Sequence, residues 1–358
     1  MMTNFWMGKK VLLTGHTGFK GSWMTLYLQT LGAEVTGFSL PPNTNPSLFE
    51  LAGVVEGITS IEGDIRSYKH ILDVLQAAKP DIVFHFAAQA LVRLSYEQPL
   101  ETYQTNIMGT VHLLEAIRHV KGIRVVLCIT SDKCYENRES GRAYGEDDPM
   151  GGFDPYSSSK GCDELIITAY RRSFFPPDAY DRHGVALASG RAGNVIGGGD
   201  WARDRLVVDI MNAFTAGQTA FIRNTQAVRP WQHVLEPLNG YMRLAEKLWA
   251  EGPRFTEGWN FGPEPNAARP VAWIADRLAR LWGKNAAWEQ DAGSHPHEAQ
   301  LLMLDTSKAS AQLDWHPRLD LEQTLEWTVE WYQGYHQGCS PRMLTTKQIS
   351  RYEELPKK

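Results

Sequence analysis

The sequence predicts an α/β protein built on a doubly wound parallel sheet with a smaller C-terminal lobe. Two observations carry that expectation. From residue 10 to about residue 190, short apolar runs alternate with longer amphipathic stretches, the pattern of strands joined by crossover helices. The first apolar run leads into Gly15, Gly18 and Gly21, spaced by three, with a helical pattern beginning before the last of them.

Strand candidates are residues 11–13, 35–38, 58–61, 82–86, 125–129 and 185–188, and helical spacing fills 19–31, 69–78, 102–119 and 155–174. Right-handed crossovers follow, and in such sheets ligands collect beyond the carboxyl ends of the strands. The first strand end carries the glycines, which allow a sharp turn and close approach of a diphosphate to the free amides of a helix start. His16 and Phe19 belong to the same turn, and the bulk of His16 predicts weaker dinucleotide binding than a small residue would give.

Glu34 opens the second strand and reads as solvated, whereas Ser39 stands at its functional end with no Arg or Lys nearby for a 2′-phosphate. That favours NAD over NADP. Asp64, followed by Ile65, ends the third strand and offers an acceptor for an adenine amino group. Phe86, Ala87 and Ala88 after the fourth leave room for a cofactor to lie flat. Ser131-Asp132-Lys133 follows the fifth strand and Arg191-Ala192-Gly193-Asn194 the sixth.

With 358 residues the chain is long enough for two domains or one large domain with additions. We divide it into a Rossmann-type domain, residues 1–190 with return segments near 225–262, a lobe over 191–340, and a polar tail over 341–358. In the lobe, helices are expected at 206–216, 237–249, 271–281 and 321–335, and loops at 197–201 and 260–265. Trp327 and Trp331, one helical turn apart, read as packing. The tail reads as partly disordered or as an arm to a neighbouring subunit.

A composition of 43% hydrophobic and 22% charged residues is that of an ordinary globular protein. A net charge of −5 without a long basic run leaves no nucleic-acid footprint. No run approaches the roughly 20 apolar residues of a membrane span, and too few apolar residues follow the start for a signal peptide. The expectation is a cytoplasmic protein with no membrane partner. Cys128, Cys134, Cys162 and Cys339 form no Cys-x-x-Cys pair and read as free thiols, with no metal site.

Tyr156 and Lys160 lie four apart behind Pro155, on one face of a helix start. The lysine charge lowers the phenol's pKa, and a phenolate can take a hydroxyl proton as hydride leaves the same carbon. Ser131 is expected beside Tyr156 on the same substrate hydroxyl. Asp132 and Lys133 go beyond alcohol oxidation: a carboxyl is an acid for a leaving hydroxyl, and a neutral amine a base for a carbon-bound proton. The bland alternative is a solvated ion pair.

These stretches resemble a known family. The glycine turn at 15–21, Gly-Asp-Ile-Arg at 63–66, His-Phe-Ala-Ala-Gln at 85–89, Tyr-Ser-Ser-Ser-Lys at 156–160 and Asn-Phe-Gly-Pro at 260–263 look like an extended short-chain dehydrogenase/reductase acting on nucleotide sugars. Thr-Ser-Asp-Lys-Cys-Tyr at 130–135, the 191–201 stretch, Arg-Pro-Trp-Gln-His-Val at 229–234 and His-Glu-Ala at 297–299 narrow the likeness to the branch that dehydrates CDP-glucose.

The resemblance implies NAD-dependent oxidation at C4 with Tyr156 as base, loss of the C5 proton to Lys133, departure of the C6 hydroxyl with a proton from Asp132, and hydride return to C6. Relatives usually carry glutamate where Lys133 stands. Asn194, Arg229 and Arg93 are candidates for the substrate diphosphate, and Glu298 for its ribose. In relatives the 102–119 and 155–174 helices build a four-helix dimer bundle, implying a homodimer or homotetramer. An NAD-dependent nucleotide-sugar epimerase, needing Tyr156 but not Asp132 and Lys133, and a non-enzymatic nucleotide sensor remain the alternatives.

Overall fold

The structure, a computed structural model, describes residues 5–139, 141–283, 286–291, 293 and 302–356. The central sheet consists of Lys10–Thr14 (β1), Glu34–Ser39 (β2), Thr59–Glu62 (β3), Ile82–His85 (β4), Val125–Ile129 (β5), Ala186–Arg191 (β6) and Gly258–Asn260 (β7). The strand order is β7-β6-β5-β4-β1-β2-β3, and every pairing is parallel. The order reverses between β1 and β4, which leaves a crevice at their carboxyl ends.

β4, β5 and β6 are buried along their whole length, as a sheet covered on both faces requires. Side chains alternate between two cores. Val11, Leu13, Phe84, Val125 and Leu127 face the side that also packs the lobe. Leu12, Val83, Val126 and Cys128 face the Tyr68–Ala78 and Gly109–Arg118 helices. The predicted helix over 102–119 is real but widens into a π turn over Gln104–Met108.

Two expectations fail. Gly258–Asn260 is the seventh strand of the sheet, although Asn260 was expected to open a loop. At three residues it is too short to show a period. The described part of the polar tail is not disordered: Pro341–Glu354 is a helix that buries Leu344, Thr345, Gln348, Ile349 and Tyr352. Those positions form one stripe at helical spacing, opened by Ser340 as cap and Pro341 at the first turn. Trp327 and Trp331 are packing residues, as expected, and both are buried. The four cysteines are free.

Candidate active site

A cavity of about 940 Å³ runs along the carboxyl ends of β1 to β6 and is walled on its far side by the lobe. Its floor begins at the glycine turn. Gly15 has φ +75°, and a Cβ there would come within 2.7 Å of the Ala87 backbone. At Gly21 a Cβ would lie 2.1 Å from the Gly15 carbonyl oxygen, so only glycine lets the helix sit on the turn. The Phe19–Thr30 helix starts at Gly18 with no side-chain cap. Its first amides therefore face a cavity lined by Gly18, Phe19, Lys20 and Gly21 with donors to give. Those residues fit the diphosphate of a dinucleotide.

Ser39, Asp64, Ile65, Phe86, Ala87 and Ala88 line the same cavity. Ser39 is bonded to the Thr17 hydroxyl at 2.8 Å. Asp64 is partly committed to Arg66, 2.6 Å away, whose guanidinium holds its carboxyl below the usual range. Glu34 is exposed, as expected. The His16 ring, by contrast, does not line the cavity. It is buried behind the turn, bonded through Nε2 to Ser60 at 2.7 Å and set edge-on to Phe49. Burial lowers its pKa to about 4, so it is neutral. The space it needs comes from Gly37, where a Cβ would meet the ring at 2.4 Å. The expected obstruction of the diphosphate by this ring is therefore withdrawn.

The reacting end lies beyond β5. Ser131 caps a single 3₁₀ turn, Asp132–Cys134, and faces the start of the Pro155–Ser173 helix. Ser131 Oγ donates to Asp132 Oδ1 at 2.9 Å and accepts the Lys133 amide at 3.2 Å. Ser131, Asp132, Lys133, Tyr156 and Lys160 all line the cavity. Burial raises the pKa of Tyr156, outweighing the downward pull of Lys160 and of a hydrogen bond with Ser131. The phenol is thus protonated in the free site. The expected effect of Lys160 exists, but does not by itself deliver a phenolate.

Lys160 Nζ is held at 2.9 Å by Asp163, and both side chains are almost fully buried. Burial opposes charge on each, but their mutual attraction keeps the pair ionised. Beside this pair a chain of polar groups runs out from the sheet. The Ala87 amide donates to Thr14 Oγ1, Thr14 is bonded to His85 Nδ1 at 2.7 Å, and His85 Nε2 is bonded to Thr110 Oγ1 at 3.2 Å. Burial and the nearby Lys160 lower the His85 pKa to about 3, so this chain is neutral.

Sequence reasoning missed four charged residues here, Asp163 beneath the wall and Lys20, Asp200 and Arg205 in it. Lys20 interrupts the glycine turn and faces Asp132, and burial with the Arg205 charge lowers its pKa to about 8. Asp200 and Arg205 pair at 2.6 Å from the lobe, and the Arg205 charge reaches Tyr156. Asp163 was legible, because three residues after Lys160 on one helix means the same face. Lys20 was visible as a charge among glycines. Nothing in the sequence signals that Arg205 folds back onto Tyr156.

The substrate candidates divide. Asn194, with φ +30°, and Arg229 line the cavity. Arg93 lines it too, with its guanidinium 3.1 Å from Asp204. Glu298 and the 297–299 stretch lie outside the described residues. Arg191, singled out at the sixth strand end, does not line the cavity. It is a buried partner of Glu164 at 2.7 Å that also donates to Tyr135.

The chain as a whole is similar to known proteins. Residues 12–261 match the family model described as GDP-mannose 4,6 dehydratase. The chain is 54% identical over 349 residues to CDP-glucose 4,6-dehydratase of Salmonella typhimurium, covering 98% of this chain and 97% of that protein. It is 25% identical to a dTDP-glucose 4,6-dehydratase of Xanthomonas campestris, over 88% and 92% of the two chains. The solved UDP-glucose 4-epimerase of Thermus thermophilus in complex with NAD superposes with a TM-score of 0.77 at 22% identity, over 90% and 99% of the chains. The dTDP-glucose 4,6-dehydratase of Streptomyces venezuelae with NAD bound gives 0.77 at 22%, over 93% and 99%.

Proposed function

The chain belongs to the GDP-mannose 4,6 dehydratase family, and from that membership we propose that it is a hydro-lyase converting CDP-D-glucose to CDP-4-keto-6-deoxy-D-glucose and water, a step of deoxysugar biosynthesis. The glycine turn with Gly15, Gly18, Phe19 and Gly21 would hold the cofactor diphosphate, Ser39 and Asp64 the adenosine, and Phe86, Ala87, Ala88 and Lys160 the nicotinamide half. Bound there, NAD supplies a hydride acceptor and, later in the same turnover, the donor, so that no net oxidation occurs. Tyr156, protonated in the free site, would act on O4 once ionised, taking the O4 proton while Ser131 hydrogen-bonds the same oxygen. The C4 ketone acidifies C5–H, whose proton Lys133 removes and later returns. Asp132 protonates the departing C6 hydroxyl.

The Lys160 charge, which could have favoured a neutral Lys133 by repulsion, is already matched by Asp163. The assignment of Lys133 as base therefore rests on its position in the cavity wall. Asn194, Arg229 and Arg93 would bind the substrate diphosphate. Residues 1–190, with the return near 225–262, form the cofactor half in this reading, and 191–340 mainly the sugar-nucleotide half. A cytoplasmic homodimer or homotetramer fits as well: Tyr103, Met108 and Leu165 are exposed on the helices expected to pair between subunits, and no helix among the described residues is long and apolar enough to cross a membrane.

The observation that favours dehydration over epimerisation is the second acid–base pair, Asp132 and Lys133, beside Ser131 and Tyr156 on one wall. The test is incubation with CDP-glucose and NAD followed by alkali. Ultraviolet absorbance of the 4-keto product without accumulation of NADH is the expected result. NADH build-up, or a C4 epimer without the chromophore, would replace the reading.

A further inference from the structure

Arg93 and Arg223 reach the cavity from different segments. Arg93 stands on the Val92–Glu97 helix beyond the end of β4, and Arg223 follows the short strand Ala220–Ile222 of the lobe. Both line the cavity. Their guanidiniums meet on one atom: Asp204 Oδ1 lies 3.1 Å from Arg93 Nη1 and 2.9 Å from Arg223 Nη1. Neither arginine pairs with another carboxylate among the described residues. Asp209 is within electrostatic reach of all three, its carboxyl pushed up to about 6 mainly by burial, but it pairs with neither guanidinium.

Two guanidiniums on a single carboxylate oxygen make an anion site that already holds a stand-in. Resting on the functional reading above, we infer that Arg93 and Arg223 together clamp the substrate's diphosphate, and that Asp204 occupies the clamp in the free enzyme and leaves it when the nucleotide sugar enters. The charges match. One carboxylate answers only one of the two cations, whereas the diphosphate of a nucleotide sugar brings two negative charges and several acceptor oxygens. A guanidinium offers five N–H donors in a planar fork. Each arginine meets Asp204 through one nitrogen, Nη1, and keeps its remaining donors for a larger anion.

The stand-in is weakly held. The side chains of Arg93, Asp204 and Arg223 are 34%, 41% and 22% exposed, and ion pairs this open to water contribute little. Forked, charge-assisted bonds from arginine to a phosphate are stronger, so the exchange favours the incoming ligand. Asp204 hangs from a turn at residues 203–204 with a left-handed φ of +60°, a conformation that Asp and Asn tolerate. Its neighbour Arg205 is tied separately to Asp200 at 2.6 Å, so release of Asp204 frees no other charge in the wall.

The clamp is tested by calorimetric titration of the enzyme with CDP in saturating NAD. Arg93→Gln and Arg223→Gln should each weaken CDP by roughly tenfold, the scale of a lost bond to a charged group. Arg223→Lys, which keeps the charge without the fork, should fall between Arg223→Gln and the wild type. Asp204→Asn, which keeps the turn and removes the competing charge, should tighten CDP by up to roughly fivefold, the scale of an exposed ion pair. The sign decides: a carboxylate that merely braces the arginines weakens CDP when it is removed, and that result overturns the stand-in. Wild-type affinity should also fall with ionic strength more steeply than that of either glutamine variant. Equal slopes would assign the arginines to the base or to the fold, and a loss of NAD affinity in place of CDP affinity would assign them to the cofactor; either overturns the clamp. If the wild type binds UDP, GDP or dTDP instead of CDP, the substrate reading fails, and the same variants titrated with that nucleotide still decide the clamp. A wild type that binds none of the four removes both.

Discussion

Two regions of this molecule bury carboxylates, and they treat them differently. On the Pro155–Ser173 helix, Asp163 meets the Lys160 ammonium and Glu164 the Arg191 guanidinium, each within 3 Å. Burial alone would raise the Glu164 pKa, but Arg191 with the Thr130 and Ser189 hydroxyls outweighs it and holds the group ionised. On the Leu235–Glu251 helix, Glu236 instead receives neutral donors: the amides of Arg318 and Leu319 and the Tyr352 hydroxyl at 2.8 Å. Burial there prevails and pushes the carboxyl up to about 7. A buried carboxylate matched by a full cation keeps a constant charge, while one held by dipoles titrates near neutrality. The wall of the site thus has a fixed field, and the clamp on the C-terminal helix is pH-sensitive.

The strongest separation of the two regions is expected from Tyr156→Phe. It should lower kcat by roughly 10²- to 10⁴-fold, the usual worth of a positioned acid–base group, with no loss of thermal stability, since it removes one oxygen and leaves the ring. Next comes Asp163→Ala, which strands the Lys160 ammonium in the interior. Breaking a buried pair from one side costs about 3–5 kcal/mol, readable as a lowered denaturation midpoint. A loss below about 1 kcal/mol, the scale of an exposed pair, would mean that water replaces the carboxylate and that the field is not fixed.

The same contrast explains what was legible in the sequence. The first six strands announce themselves as apolar runs ended by turn residues, and Tyr156 with Lys160 is a local spacing on one helix. Asp132 and Lys133 follow from the rule about strand ends. What escaped is made by distant segments meeting. Gly258–Asn260 becomes a strand only because β6 offers it an edge. Arg205 joins the wall only when the lobe closes over the cavity. The C-terminal helix looked like a polar tail because its mean hydropathy is low, although its buried stripe keeps helical spacing.

A smaller effect concerns pH. A carboxyl raised to about 7 in the folded chain and near 4.5 when unfolded gives its full stabilisation below about 4.5, and loses it as pH rises through about 7. Thermal stability should therefore decline from pH 6 to pH 8, by about 2 °C for a chain of this size per kcal/mol lost. Glu236→Gln should flatten that slope while leaving kcat unchanged. A slope that persists in the variant would place the titrating group elsewhere and remove the contrast between the two regions.

The smallest effect tests how the C-terminal helix is held. Ser340 Oγ accepts the Met343 amide at 3.5 Å, a long bond at the edge of what counts as one. Most of the docking lies instead in the buried stripe, in Tyr352 on Glu236, and in Gln348, whose amide donates to the Trp327 carbonyl at 2.7 Å. Ser340→Ala should therefore cost about 0.5 kcal/mol, at the low end for a lost cap, as a shift of the urea midpoint with unchanged slope. A loss near 2 kcal/mol would show that the helix depends on its own cap rather than on what it packs against. A fall in kcat in the same variant would show that the tail is coupled to the site, because only motion passed through the Glu236 helix to the sheet could carry the effect that far.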